Sequence, residues 1–175
     1  NHSAVHLKYL FLGFPGGSLQ HCGIGVPTAW SIILGAEELG IGDEITSIRS
    51  TPGMVLIIQA RNSTYVLEGS SPQDWFLREY STVSGAIEWS VQHVQELMFL
   101  DDRGLTRLSR VDAFGDFKDN TVSKMVQQRF DVQKTKTVSS VAVRNKNQYI
   151  IYFNDNSALQ CTFKDRKLVG FMDLD

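Results

Sequence analysis

The first candidates for chemistry in this sequence are its histidines and cysteines: His2, His6, His21, His93, Cys22 and Cys161. We place His21 on a strand and His93 in a connector, and the sequence pairs neither of them visibly with a cysteine or a serine. The two cysteines lie far apart and form no CxxC pair, which argues against a zinc module and against a disulfide scaffold. A GxSxG nucleophile elbow is also missing. Nucleophilic catalysis therefore has little support in the sequence.

The acidic residues are mostly sequence neighbours, as at Glu37–Glu38, Asp43–Glu44 and Asp101–Asp102. Adjacent residues of a strand point to opposite faces of a sheet. Such pairs are poorly placed to act together on one bond as general acid and general base. Only carboxylates that are distant in the sequence could still meet in space, and the sequence alone does not bring any of them together.

Several segments look like ligand-binding loops but are better explained as turns. Gly13–Ser18 is rich in glycine, but it lacks the lysine and the spacing of a P-loop, and its glycines and proline suit a tight turn. The acidic turns Asp101–Gly104 and Asn154–Asn156 do not follow the ligand spacing of a calcium loop. The acidic group Asp112–Asp119 could hold a cation, although a solvated loop is the simpler interpretation. We therefore predict no catalytic residue, no cofactor and no metal site.

Length and composition indicate one folded domain. The chain has 175 residues, of which 42% are hydrophobic and 10% aromatic, and a net charge of −2. These values exclude a disordered chain, and the charge balance argues against a free-standing nucleic-acid-binding protein. No apolar run approaches the roughly 20 residues that span a bilayer, and no signal-peptide pattern opens the chain. Because the sequence begins at Asn1 rather than Met, we expect it to be part of a longer protein.

Strand–turn–strand segments recur along the chain. They lie at Leu10–Cys22, Val55–Leu67, Leu97–Leu108 and Tyr149–Cys161. Three pairs of residues, one within the first two segments and two beyond them, are separated by the same 45 positions: Ser18 and Ser63, Pro27 and Pro72, Trp30 and Trp75. This register predicts that Trp30 and Trp75 are buried at equivalent positions. A period of about 40 to 50 residues is typical of propeller repeats.

Further strands precede or follow these hairpins. We predict them at Glu44–Arg49, Ala86–Val91 and Val138–Arg144, with a last strand around Leu168–Met172. A short amphipathic helix is predicted over Thr121–Phe130, where capping residues precede apolar residues at helical spacing, with an irregular loop as the alternative.

The predicted fold is therefore all-β, with β-propeller-like blades of antiparallel strands and one short inserted helix. The predicted organisation is a single domain, residues 1–175, of about four blade-like units. These units cover about residues 5–38, 44–80, 86–117 and 138–173.

Charge is distributed unevenly along the chain. Residues 1–117 contain 7 basic and 13 acidic residues, whereas residues 118–175 contain 10 basic and 6 acidic residues. Opposite patches of this kind could support head-to-tail contact between identical subunits. Chance variation among solvated loops is the alternative explanation.

Seven segments, in this order, carry a resemblance to a known family: Phe11–His21, Gly25–Trp30, Gly42–Thr46, Arg61–Pro72, Phe99–Leu105, Gly115–Phe117 and Val143–Tyr149. They resemble the tail nozzle proteins of short-tailed bacteriophages, a family also called tail tubular protein B, and related propeller-type virion proteins. The resemblance covers about Tyr9 to Val169, and the stretch Asn62–Pro72 is its most specific part.

This resemblance implies a structural role without enzymatic activity. Members of the family form cyclic rings, typically hexamers, at the end of a short tail, and they carry no cofactor and no catalytic residues. It implies a virion protein that is assembled in the host cytoplasm and contacts other tail proteins such as the adaptor. Phage DNA would pass through the lumen during genome ejection without sequence-specific binding. Family members are longer and include a platform portion that docks on the tail adaptor, so we expect this sequence to represent a run of blades without that portion.

Two other classes stay open. A propeller-like interaction or receptor-binding module would expose an aromatic or arginine-rich patch at one end of the blades. An enzyme acting on glycans would need two convergent carboxylates, for which Glu44, Glu88, Asp101 and Asp155 are the candidates.

Overall fold

The fold of the described residues is all-β, as the sequence predicts. A computed structural model describes residues 1–51, 55–111, 116–121 and 127–174. These residues form four antiparallel four-stranded sheets and one short α-helix. The chain divides into two compact units, Asn1–Ala86 and Ile87–Asp175, each with two sheets. Within the described residues, no helix is both long enough and apolar enough to cross a bilayer.

The first unit contains two sheets whose strands follow one another in chain order. The first sheet consists of β1 (His2–His6), β2 (Tyr9–Gly13), β3 (Ser18–His21) and β4 (Glu37–Gly40). The second consists of β5 (Ile45–Thr51), β6 (Val55–Ala60), β7 (Thr64–Glu68) and β8 (Phe76–Ser81).

The second unit repeats this arrangement. Its first sheet consists of β9 (Gln92–Val94), β10 (Glu96–Asp101), β11 (Gly104–Val111) and β12 (Asp116–Thr121). The helix α1 (Gln127–Gln133) follows, and a 3₁₀ turn leads into the last sheet. That sheet consists of β13 (Thr137–Val143), β14 (Gln148–Phe153), β15 (Ala158–Lys164) and β16 (Lys167–Leu174). The assignment of the four sheets to propeller-like repeat units, and the single domain, stay predictions.

The core of the first unit lies between its two sheets. Strand β2 alternates buried and half-buried residues, so that Tyr9 and Phe11 face the core, as the two-residue period of a strand requires. The other sheet contributes β6, an aliphatic run in which every residue is buried. Gly13 allows the sheets to approach closely, because a Cβ there would lie 2.7 Å from Ile45 Cγ2 and 2.8 Å from Ile48 Cδ1.

The core of the second unit also joins its two sheets. Met98, Leu100 and Leu105 from one sheet form a cluster with the central strands of the other and with Phe130 of α1. Within this cluster the hydroxyl of Tyr149 donates a hydrogen bond to the Ser90 carbonyl. Burial raises the pKa of Tyr149 far above its usual value, so the phenol stays a donor.

The predicted helix is only partly correct. Thr121 ends β12, and the described helix covers Gln127–Gln133, so only residues 127–130 coincide with the prediction; residues 122–126 lie outside the described residues. The capping residues Asp119–Thr121 instead pair with β11, where Thr121 lies opposite Thr106. A strand ladder satisfies their backbone groups, so they do not start a helix there.

The predicted strand Ala86–Val91 is wrong. The strand of this region is β9, so His93 lies in a strand rather than in a connector. Residues before β9 form a turn in which Trp89 has a φ of 64° and the Ser90 hydroxyl donates to the Ile87 carbonyl at 2.6 Å. A positive φ is incompatible with an extended strand.

The 45-residue register holds for the hairpins but not for the tryptophans. The hairpins β2–β3 and β6–β7 are both antiparallel pairs at the centre of their sheets. Trp75 directly precedes β8 and packs against the core, whereas Trp30 lies within the β3–β4 connection and is 38% exposed. The prediction that both tryptophans are buried at equivalent positions is therefore wrong.

Candidate protein-binding surface

The connection between β3 and β4 is an exposed apolar segment, which we call the apolar loop (Cys22–Ala36). Its fifteen residues include no charged side chain. Ile32 and Ile33 at its tip are 86% and 94% exposed. The loop's exposed large hydrophobic residues are Ile24, Val26, Trp30, Ile32, Ile33 and Leu34. Single exposed hydrophobic residues are common on proteins, but six of them within one loop make this loop a candidate interaction surface.

Backbone hydrogen bonds hold the apolar loop in shape. Gly23 and Ala29 close its first half, with the Gly23 amide donating to the Ala29 carbonyl at 2.8 Å. The Gly25 amide ties the loop to the β1–β2 turn through the Lys8 carbonyl, also at 2.8 Å. A 3₁₀ turn over Ile32–Leu34 ends at Gly35, whose φ of 83° suits glycine. The exposed isoleucines are thus presented by an internally bonded Ω-type loop.

Glycine is required where the two ends of the loop meet. A Cβ on Gly23 would lie only 2.4 Å from the Leu34 carbonyl oxygen. The backbone of one end therefore packs directly on the backbone of the other, which a larger residue would prevent.

A cleft of about 670 Å³ lies beside the apolar loop. Its lining is apolar on the loop side and acidic on β4, and it includes Tyr9, Ile24, Ile32, Leu34, Glu37, Glu38, Pro72 and Gln73. The side chain of Glu37 is 60% exposed. The Ser18 hydroxyl donates to Glu38 Oε1 at 2.5 Å, which fixes the second carboxylate on the strand pair β3–β4. The cleft thus combines apolar walls with a negative rim.

An aromatic cluster supports the cleft from behind. Tyr9 contacts His21 and Trp75 edge-on, with ring centroids 5.5 Å and 5.0 Å apart. Trp75 also contacts Phe11 and His21, at 5.3 Å and 4.9 Å. The Tyr9 and His21 contacts are edge-to-face, a favoured geometry of aromatic pairs, and the Phe11 ring is tilted by 46° against Trp75.

The two histidines next to this cluster are buried. The Nδ1 of His21 lies 3.0 Å from the Cys22 carbonyl oxygen, so this nitrogen carries the proton in the neutral ring. Its Nε2 lies 3.9 Å from Glu37 Oε2. His6 pairs through Nδ1 with the Ser50 hydroxyl at 2.8 Å, and burial lowers the pKa of His6 below its ordinary value.

The other wall of the cleft belongs to the β7–β8 connection, whose tight part we call the serine turn (Ser70–Asp74). Asp74 accepts hydrogen bonds from the backbone and hydroxyl groups of Ser70 and Ser71, at 2.6 to 3.1 Å. These donors, led by the Ser70 amide, hold the pKa of Asp74 far below its usual range. The carboxylate therefore closes the turn and is not free for catalysis.

Two of the four carboxylates considered for glycan chemistry, Asp101 and Asp155, make structural contacts in their turns. Asp101 is buried and accepts from the backbone and guanidinium of Arg103, at 2.7 to 2.9 Å. Asp155 accepts from Ser157, Gln133 and Lys136, which lower its pKa far below the usual range. The Glu44 amide, not its carboxylate, bonds to Asp43, and the Glu88 side chain is half-buried.

The predicted acidic group Asp112–Asp119 lies partly outside the described residues. Residues 112–115 are not described, and Asp116 and Asp119 belong to β12. Across the described parts of the chain, no three His, Cys, Asp or Glu residues are grouped closely enough to hold a metal ion.

Sequence analysis missed the apolar loop as a site. Pro27 and Trp30 fit the 45-residue spacing, and that spacing predicts burial rather than a surface. The usable signal was the uncharged run Cys22–Ala36, which is followed at once by Glu37 and Glu38.

No protein-family model matches the chain, and no curated protein matches it.

Proposed function

We propose that this chain is a non-catalytic structural subunit that docks onto other protein surfaces through its apolar loop. The observation that carries the proposal is the exposure of Ile32 and Ile33 at the tip of an internally hydrogen-bonded loop. Exposure of two aliphatic side chains to water is unfavourable, and burying them against an apolar surface would be favourable by the corresponding free energy. The adjacent cleft extends this surface and gives it a charged border.

The specific form that we propose is a ring subunit of a bacteriophage tail nozzle. Four sheets of four sequential antiparallel strands are what blades of a propeller require, and the sequence resemblance supports the same interpretation. In this role the chain is part of the virion and of the channel for genome ejection. Its partners are copies of itself in a ring, with a hexamer as the copy number to test, and neighbouring tail proteins such as the adaptor.

A receptor-binding or interaction module is the second candidate. The observation that favours it is the place of the apolar loop, which connects β3 to β4 and therefore lies at an end of its sheet. A recognition module presents its patch at strand ends, where a receptor can reach it.

The test compares assembly of the full chain with assembly of two matched variants. Ile32→Asn/Ile33→Asn removes the apolar tip, and Val83→Asn changes an exposed valine, 78% accessible, outside the loop. Light scattering should find a closed oligomer for the parent chain and for Val83→Asn, and a smaller species for the loop variant. Particle images of the parent should show a ring.

Different results separate the candidates. A parent that stays monomeric, but captures a host-cell surface protein through the same isoleucines, would favour the receptor-binding module. A monomer in which neither variant changes any interaction would contradict docking through the apolar loop altogether.

A further inference from the structure

We propose that the apolar loop and its cleft receive the β15–β16 hairpin of a second copy of this chain, in a head-to-tail contact. The inference rests on the proposed function as a self-assembling subunit and goes further by naming both contacting surfaces. The occupant is chosen because the chain itself presents a surface with the complementary charge and the same apolar character.

The receiving surface is apolar with a negative rim. Ile32 and Leu34 of the loop line the cleft together with the exposed carboxylate of Glu37 and the side chain of Gln73. The unit that contains it, residues 1–86, has 4 basic and 7 acidic residues. A partner for this surface should combine apolar side chains with positive charge.

The β15–β16 hairpin has this combination. Lys164 and Lys167 flank its two-residue turn and are exposed. The strand that follows, β16, is the outermost strand of its sheet and exposes Val169, Phe171 and Met172. The sheet spanning residues 137–174 has 5 basic and 3 acidic residues. Outermost strands with apolar side chains are surfaces on which other chains pair.

The two surfaces differ from each other, so the contact is heterologous. Each copy offers one receiving surface and one hairpin, and a series of such contacts either closes into a ring or continues as a filament. Like charges on two receiving surfaces oppose a symmetric loop-to-loop contact. The charges therefore set the direction of assembly as well as its strength.

A charge-swap experiment on the full chain tests this contact. The receiving variant is Glu37→Lys/Gln73→Lys, the hairpin variant is Lys164→Glu/Lys167→Glu, and the control is Arg144→Glu/Lys146→Glu. The control changes two exposed cations in the same sheet, at the turn before β14, by the same charge as the hairpin variant. Circular dichroism melts establish that each variant is folded before its assembly is measured.

We expect each swapped variant alone to associate at least tenfold more weakly than the parent in analytical ultracentrifugation at low salt. An equimolar mixture of the two should recover the parent's association, because each copy then meets an opposite charge on its neighbour. The control should match the parent. The proposal would be overturned if self-association weakened as much in the control as in the hairpin variant. It would also be overturned if the mixture of the two swapped variants associated no better than each variant alone.

The same measurements separate this inference from the proposed function. A parent that assembles while charge swaps have no effect leaves the structural subunit in place and removes the head-to-tail contact. A parent that is monomeric at every concentration overturns both. Co-sedimentation of the parent with phosphatidylcholine vesicles, abolished by Ile32→Asn/Ile33→Asn, would overturn the inference by assigning the loop to a lipid surface.

Discussion

The β3–β4 and β7–β8 connections of the first unit occupy the same place in their sheets, yet their surfaces differ. The apolar loop is long, is closed by backbone hydrogen bonds and directs Ile33 into solvent. The β7–β8 connection is short, is closed by the Asp74 side chain and leads directly into Trp75, which packs on the core. Backbone hydrogen bonds alone close the apolar loop, so its side chains stay exposed and can contact a partner. In the β7–β8 connection a side chain closes the turn, and the aromatic residue that follows packs on the core.

The largest effect on stability is expected from replacing the tryptophan in each connection with alanine. Trp75→Ala should lower the free energy of unfolding by about 3–5 kcal/mol, because it removes a large ring from an aromatic cluster. Trp30→Ala should lower it by less, about 1–2 kcal/mol, because the residue is 38% exposed and its ring is only partly covered. Urea unfolding monitored by circular dichroism measures both. Trp75→Phe, which keeps an aromatic ring, should recover most of the loss, and equal effects at the two positions would break the comparison.

The next effect concerns the histidine behind the cluster. Because burial lowers the pKa of His6, the folded protein binds fewer protons than the unfolded chain below the ordinary histidine pKa of about 6.5. The contribution of neutral His6 to the free energy of unfolding is therefore complete above this pH. The free energy of unfolding should fall as the pH drops below it, by up to about 1.4 kcal/mol per pH unit. Unfolding curves between pH 7.5 and 5 measure this slope. His6→Gln should flatten it, and an unchanged slope in that variant would assign the acid sensitivity elsewhere.

A smaller effect is expected in the serine turn. Asp74 stabilises the fold only while it is ionised, so its contribution should be present above the ordinary aspartate pKa and lost as the pH falls through the acid range. Asp74→Asn should lower Tm at neutral pH and lose less further stability on acidification than the parent does. Thermal melts at pH 7 and pH 3 provide the comparison. A variant with the parent's Tm at both pH values would show that the serines close the turn without the carboxylate.

The smallest stability effect belongs to the apolar loop. Ile33→Ser should change the free energy of unfolding by less than about 0.5 kcal/mol, because the side chain is 94% exposed and the backbone bonds of the loop remain. The same variant should weaken assembly. Urea unfolding at a protein concentration where the parent is dissociated isolates the first effect from the second. A loss of several kcal/mol would mean that Ile33 packs within its own chain.

The strands were largely predictable because their signals are local. The aliphatic run Val55–Ile58 and the alternation in Tyr9–Gly13 follow directly from burial on two faces or on one face of a sheet. The helix start was not predictable at Thr121, since the choice between a capping residue and a strand residue depends on pairing with β11. The exposure of Trp30 depends on the shape of the β3–β4 connection, which the 45-residue spacing does not specify.

The candidate site was harder to predict than the fold. Nothing local in Ile32-Ile33-Leu34 distinguishes a docking tip from a core segment, since both consist of the same apolar residues. The distinction depends on the closed shape of the loop, in which the Gly23 backbone packs on the Leu34 carbonyl while Ile32 and Ile33 stay exposed. The contacts of Asp101 and Asp155 follow from neighbouring residues in their turns and from Gln133, a long-range partner that spacing alone does not reveal.

The internal hydrogen bonds of the apolar loop have a consequence for the thermodynamics of association. A loop that becomes ordered only on binding loses backbone conformational entropy at that moment, at about 1–2 kcal/mol per residue. The bonds from Gly23, Gly25 and Gly35 fix the loop within the folded subunit, so that this cost belongs to folding and not to encounter. Contact energy gained at Ile32 and Ile33 is then not reduced by this ordering cost, so a small apolar tip should bind a partner more tightly than a mobile segment of the same composition would.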